Sequence, residues 1–145
     1  MTAKEYLNRA RRLEREIDAL MLEACRLRAL SEKVTTTFSP THVSGGEQGS
    51  RVEAAVLALE EVEDRVVDRI HRLVMVKQEI TETISGIAKP EVREVLQRFY
   101  LSGERWGDIA KAMHFGERYC RSLREKGVTH VEKMLREKRQ PEMTA

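Results

Sequence analysis

The most restrictive feature of this sequence is a set of apolar residues that recurs every seven positions in the middle of the chain. The repeat runs for five heptads and consists of Val52, Leu59, Val66, Leu73, Ile80 and Ile87. Each heptad also holds a second apolar residue: Val56, Val62, Ile70, Val76 and Ile84. An uninterrupted pattern of this kind indicates an α-helix whose apolar stripe packs against another helix. We therefore expect one long helix from Arg51 to about Gly86.

A similar stripe occupies the N-terminal part of the chain, from Thr2 to about Lys33. Its members advance by threes and fours up to Leu27, and the last follows seven residues later: Ala10, Leu13, Ile17, Leu20, Ala24, Leu27 and Val34. Because the two predicted helices are of similar length, the simplest arrangement is a long antiparallel helical hairpin, a coiled coil within one chain. The same stripes also suit packing between chains, as a homodimer or a higher homo-oligomer. The sequence alone does not choose between these arrangements.

The segment between the two stripes, TTTFSPTHVSGGEQGS, interrupts the helical pattern. Its β-branched residues, Pro40 and the pair Gly45-Gly46 all lower helix propensity. A glycine pair beside a serine is also found in phosphate-binding loops, but the flanking strand and the lysine of such loops are missing here. We expect a flexible loop over residues 35–50.

The composition and the charge distribution narrow the fold class further. Charged residues make up 34% of the chain and aromatic residues only 5%, and three prolines are present. These values favour long solvated helices, so we expect an all-α protein. Residues 1–88 carry 13 basic and 15 acidic side chains, whereas residues 89–145 carry 13 and 9. The positive C-terminal part permits attraction to nucleic-acid phosphates without proving it.

A second domain is predicted after residue 88. Ser85-Gly86 ends or bends the long helix, and Pro90 suits the first turn of a new one. That helix has an apolar face formed by Val92, Val95, Leu96, Phe99 and Tyr100. We expect three parts along the chain: a hairpin over 1–88, a small trihelical domain over 89–139 and a disordered tail over 140–145.

Residues 104–126 have the pattern of two short helices joined by a tight turn. An apolar face (Trp106, Ile109, Ala110 and Met113) ends at Phe115-Gly116, and a new one follows (Cys120, Leu123, Gly127, Val131 and Met134). The outer side of the second helix carries Arg118, Tyr119, Arg121 and Ser122. A helix-turn-helix presents its recognition helix to the major groove of DNA in this way. A short helical hairpin within a bundle is the alternative interpretation.

The motifs from Val92 to Leu135 resemble region four of bacterial sigma factors. In that region a helix of the form REVLxLRY and a glycine-containing turn precede a helix of the form L-E-E-I-A/G-x-x-L; here they are REVLQRFYLSG and WGDIAKAM. With the heptad segment, the layout resembles small phage and prophage proteins related to the ArpU-like and RinA-like regulators of late phage genes. The resemblance implies a transcription regulator that binds double-stranded DNA, with RNA polymerase as a second candidate partner.

The resemblance also implies roles for seven residues. Arg118, Tyr119, Arg121 and Ser122 would contact base edges or the groove, and Arg105, Arg124 and Lys126 would contact phosphates. The chain departs from the family pattern at two positions. Gly116 stands where a serine or threonine usually caps the recognition helix, and Glu117 adds a negative charge at its start. Glycine can still serve as an N-cap, and an acidic residue in the first turn suits the helix dipole.

The sequence contains no clear motif for catalysis, metal binding or membrane insertion. No nucleophile–base set or phosphate loop is present, and the four histidines have no partners at metal-ligand spacing, so we expect no enzyme, metal or cofactor. Cys25 and Cys120 are expected to be buried, reduced thiols. No apolar run approaches the ~20 residues that cross a bilayer, so we expect a cytoplasmic protein. The alternatives to a regulator are a structural or adaptor coiled-coil protein and a phage DNA-packaging factor.

Overall fold

The computed structural model describes residues 1–36 and 45–139, and this part of the chain is built from helices. The helices are α1 (Ala3–Thr36), α2 (Gly45–Ser85), α3 (Pro90–Leu96), α4 (Trp106–Met113) and α5 (Glu117–Arg139). A π-helical turn, Gln97–Leu101, continues α3. The predicted all-α fold, a long helical hairpin followed by a small helical domain, is confirmed. The predicted disordered tail, 140–145, lies outside the described residues.

The two long helices extend further than their sequence patterns predicted. α1 begins with a capping box, in which the Thr2 N–H donates to Glu5 Oε2 at 3.1 Å and the Glu5 N–H donates to Thr2 Oγ1 at 3.2 Å. The loop expected over 35–50 is shorter, since α1 runs through Thr36 and α2 already begins at Gly45. Extending an existing helix costs much less than starting one, so glycines in a first turn are tolerated. Residues 37–44 of the expected loop lie outside the described part.

The chain divides into two compact units that do not follow the predicted boundary at residue 88. Unit 1 contains residues 1–12 and the described residues from 73 onward, and unit 2 contains the described residues between 13 and 72. Both long helices contribute to both units. The first turns of α1 and the last turns of α2 therefore belong with the helices that the sequence assigned to a separate domain.

Unit 2 consists of two antiparallel helical segments. Glu16 accepts a hydrogen bond from Arg69 Nε at 2.9 Å, and Glu63 accepts one from Arg28 Nη2 at 3.2 Å, so the residue numbers rise along α1 as they fall along α2. Among the residues of this unit whose side chains the structure describes, 13–32 and 49–72, three apolar residues are buried: Ile17, Ala24 and Val62. Seven large apolar residues in the same ranges are exposed: Met21, Leu22, Leu30, Val56, Leu57, Val67 and Ile70. Two helices thus cover only part of the predicted apolar stripes.

The prediction that Cys25 is buried was wrong, because this side chain is exposed. Ala24, its neighbour, faces the helix partner and is only 6% exposed. One further residue turns the side chain by about 100° around an α-helix, so both cannot point to the same partner.

Unit 1 has one hydrophobic core to which all five helices contribute. Its fully buried members include Leu7 and Ala10 from α1, Ile80 and Ile84 from α2, and Val92, Val95, Leu96, Ile109, Cys120, Leu123 and Val131 from α3, α4 and α5. The hydroxyls of Tyr6 and Thr83 are hydrogen-bonded at 2.8 Å. Arg9 and Glu79 form an ion pair at 3.0 Å. A trihelical domain of about 50 residues has a marginal core, and the ends of the long helices enlarge it.

The turn between α4 and α5 differs from the predicted one. His114, rather than the pair Phe115-Gly116, ends α4 by adopting a left-handed conformation with φ 58°. The Phe115 N–H donates to the Ala110 carbonyl at 3.1 Å and the His114 N–H to the Lys111 carbonyl at 3.4 Å, which is a Schellman motif. Gly116 instead precedes α5, and its carbonyl accepts from the Cys120 N–H at 3.1 Å.

His114 and Gly103 both have a positive φ, and mutation of the two residues is expected to change stability in opposite directions. His114→Gly is expected to raise the free energy of unfolding by about 0.5–1 kcal/mol, because glycine adopts positive φ without steric cost. Gly103 has φ 65°, and a Cβ on it would have no heavy atom within 4 Å. Gly103→Ala is therefore expected to lower the free energy of unfolding by about 1–2 kcal/mol, through backbone strain alone. Urea denaturation followed by circular dichroism measures both, and a shift in the same direction for the two variants would contradict this account of the turns.

Candidate nucleic-acid interface

The helix-turn-helix consists of α4 and α5, which are joined by the three residues His114, Phe115 and Gly116. The predicted inner stripe of α5 is confirmed, because Cys120, Leu123 and Val131 are at most 1% exposed. Gly127 lies in the same stripe. A Cβ atom on Gly127 would lie 2.6 Å from Leu96 Cδ1, so the lack of a side chain lets α5 approach α3 closely.

Opposite the buried stripe, α5 presents Arg118, Ser122, Glu125 and Thr129, which we call the outer stripe. All four are exposed, and their spacing of four, three and four places them on one side of the helix. The Ser122 hydroxyl donates to the Tyr119 carbonyl at 2.7 Å, and the Thr129 hydroxyl to the Glu125 carbonyl at 3.0 Å. Within the described ranges, Arg118 has no carboxylate partner, so its guanidinium is available to a ligand.

A second stripe of α5, formed by Glu117, Arg121 and Arg124, faces α4. Glu117 Oε1 lies close to Gly107 of α4: a Cβ atom placed on this glycine would be 3.4 Å from it. The guanidinium carbons of Arg121 and Arg124 lie 5.7 Å and 5.0 Å from the centroid of the Trp106 ring. The Glu117 carboxylate therefore lies over the first turn of α4, where the helix dipole favours a negative charge, which accounts for an acidic residue at this position.

The rings of Phe99 and Trp106 form the aromatic surface against which Arg121 and Arg124 pack. Phe99 and Trp106 are stacked, with centroids 4.5 Å apart and planes 18° from parallel. Arg124 also lies 5.3 Å from the Phe99 centroid, and Arg11 of α1 lies 4.4 Å from it. Guanidinium groups over aromatic faces stabilise such packing. Arg11 was not predicted, because it precedes Phe99 by most of the chain and no local pattern links the two residues.

Arg124, predicted as a phosphate contact, is the most enclosed of the seven site residues. Its side chain is 24% exposed, and its Nη2 donates to Glu125 Oε1 at 3.1 Å. The same Glu125 oxygen lies 3.9 Å from Lys4 Nζ. Arg124 thus holds α5 against Phe99 and Trp106, and its charge is balanced by a carboxylate on its own helix.

The remaining predicted site residues lie on either side of the turn. Tyr119 is 44% exposed, and its ring packs edge to face with that of Phe115, with the ring centroids 4.9 Å apart. Lys126 is exposed on α5. Arg105 is exposed just before α4, and its carbonyl accepts from the Ile109 N–H at 3.0 Å. Six of the seven predicted residues therefore share α5, and Arg105 precedes the other helix of the motif.

The cysteine within the motif takes part in packing. Cys120 is fully buried, and burial together with the nearby Glu117 carboxylate raises the pKa of its thiol. A raised pKa keeps the thiol protonated and so a poor nucleophile. Cys120 is therefore a core residue of the helix-turn-helix.

Comparison of the chain with protein-family models, with curated proteins and with solved structures found no match. Within residues 1–36 and 45–139, no helix is both long and apolar enough to cross a membrane. The same residues contain no group of three or more histidine, cysteine, aspartate or glutamate side chains placed to hold a metal ion.

Proposed function

We propose that this chain is a sequence-specific DNA-binding transcription regulator of phage or prophage genes, with α5 as its recognition helix. The observation that carries the proposal is the outer stripe of α5, where Arg118 stands opposite the buried Cys120 and Leu123. In helix-turn-helix proteins the second helix enters the major groove, and residues near its N-terminus contact base edges. Arg118 is the second residue of α5 and has the guanidinium fork that recognises guanine.

The charges around α5 support the same proposal. Arg105, Arg118, Arg121 and Lys126 are exposed, and each can approach a phosphate. Two carboxylates of α5 lie close to other groups of unit 1: Glu117 lies beside Gly107 of α4, and Glu125 accepts a hydrogen bond from Arg124. Cations that have no competing carboxylate bind phosphates in a salt-dependent manner.

The exposed apolar residues of unit 2 support self-association as part of this function. Two helices leave seven large apolar side chains uncovered, whereas monomeric proteins seldom expose large continuous apolar patches. In the proposal the N-terminal helices bring two or more copies together. Joining two DNA-binding domains raises the overall affinity well above that of one small domain.

Selection of duplexes from a random-sequence pool tests the proposal with the full chain. We expect enrichment of a common sequence, and an affinity for it that falls linearly on a log–log plot against salt concentration. Sedimentation of the selected complex gives the number of protein copies bound. Failure to enrich any sequence, together with no duplex binding at low salt, would contradict the proposal and favour a structural or adaptor role.

A further inference from the structure

The side chains of α5 that could meet DNA are not equivalent. Arg118 and Ser122 lie in the outer stripe, directed away from the core. Arg121 belongs to the stripe that faces α4, together with Glu117 and Arg124. Three observations define that stripe: both guanidinium groups lie over the Trp106 ring, and the Glu117 carboxylate lies close to Gly107 of α4.

This difference decides which part of a duplex each arginine can reach. When a helix-turn-helix binds DNA, its second helix lies in the major groove and its first helix crosses the sugar–phosphate backbone. A guanidinium on the outer side of the second helix is therefore directed at base edges. A guanidinium held beside the first helix is directed at the wall of the groove, where the phosphates lie.

We infer that Arg121 contacts a phosphate rather than a base, that Trp106 positions its guanidinium for this contact, and that Arg118 is the arginine that distinguishes bases. The inference rests on the proposed DNA-binding function. Arg121 is exposed, and a guanidinium on an aromatic face keeps its N–H groups free at its edge. Arg124 contacts the same ring and so packs α5 against α4, but its Nη2 donates to Glu125, and its charge is therefore already balanced.

The test compares Arg121→Ala, Arg121→Lys, Arg118→Ala and Arg118→Lys in the full chain. Each variant is titrated against the selected duplex, against single base-pair changes of it and at several salt concentrations. Arg121→Ala should lower affinity by the same factor for every duplex and reduce the log–log salt slope by about 0.9, the value for one phosphate contact. Arg121→Lys should restore most of the affinity and most of the salt slope, because the ammonium group of lysine also binds a phosphate as a point charge.

Arg118→Ala should instead weaken discrimination at one base pair by about 10-fold, and Arg118→Lys should not restore the full preference. The contact with Trp106, the single tryptophan, has its own readout without DNA. Arg121→Ala should change the fluorescence emission of Trp106, and Arg118→Ala should leave it unchanged.

Three results would overturn the inference. A change of base preference at one position in Arg121→Ala would make Arg121 a base contact. Loss of binding in Arg121→Lys equal to that in Arg121→Ala would exclude a simple phosphate contact. Identical Trp106 emission in the parent and in Arg121→Ala would remove the positioning role. If the parent chain binds no duplex, the proposed function itself fails. The first two results above require a parent chain that binds DNA, so failure of the inference and failure of the proposed function are distinguishable.

Discussion

Replacement of Leu96 by alanine is expected to lower the free energy of unfolding of unit 1 by about 2–5 kcal/mol. Leu96 is 0% exposed, and its side chain lies against Gly127 of α5. Alanine would leave a cavity between α3 and α5 that the packed core can fill only in part. Urea denaturation followed by the fluorescence of Trp106, which is in unit 1, measures the effect.

Gly127 provides the second half of this test. Gly127→Ala alone is expected to lower the free energy of unfolding by about 1–3 kcal/mol, because its Cβ would overlap Leu96. In the Leu96→Ala background the overlap is removed. In that background Gly127→Ala should raise the free energy of unfolding by up to about 1 kcal/mol, because alanine has a higher helix propensity than glycine.

Gly49→Ala in α2 is the matched control, since a Cβ at this helical glycine would meet no heavy atom within 4 Å. Because Gly49 lies in unit 2, this variant is followed by circular dichroism rather than by Trp106 fluorescence, and it is expected to raise the free energy of unfolding of unit 2 by about 0.5–1 kcal/mol. A double-mutant cycle in which Gly127→Ala costs the same with and without Leu96 would contradict the close packing of α3 against α5.

The helices of this protein could be predicted from the sequence because their apolar spacing is a local property. The stripe that runs through Cys120 and Leu123 faces inward as predicted, and its spacing alone established that. Other features depend on residues far apart in the chain. The contribution of residues 1–12 to the core of unit 1, and the place of Arg11 over Phe99, have no signature in any short segment.

Some features of the structure could not be predicted from the sequence, for identifiable physical reasons. Heptad spacing shows that Val56 and Ile70 are apolar positions of a helix, but not which partner covers them, and both are exposed in unit 2. Glycine was taken as the signal for the turn after α4, whereas His114 adopts the left-handed conformation there. Periodicity placed Arg121 outside the core but could not show that it faces α4.

The central claim is that α5 binds DNA through its exposed arginines, and the double variant Arg118→Ala/Arg121→Ala tests it most directly. Its affinity for the selected duplex is expected to fall by about 10- to 100-fold, since the variant loses one base contact and one phosphate contact. The matched control is Arg26→Ala/Arg65→Ala, which removes the same charge from two exposed positions of unit 2.

Equilibrium binding of the parent and of both double variants to the selected duplex, at one fixed salt concentration, is the decisive measurement. The predicted result is a large loss of affinity in Arg118→Ala/Arg121→Ala and little change in Arg26→Ala/Arg65→Ala. Equal affinities for the two double variants would contradict the claim that α5 is the DNA-binding surface.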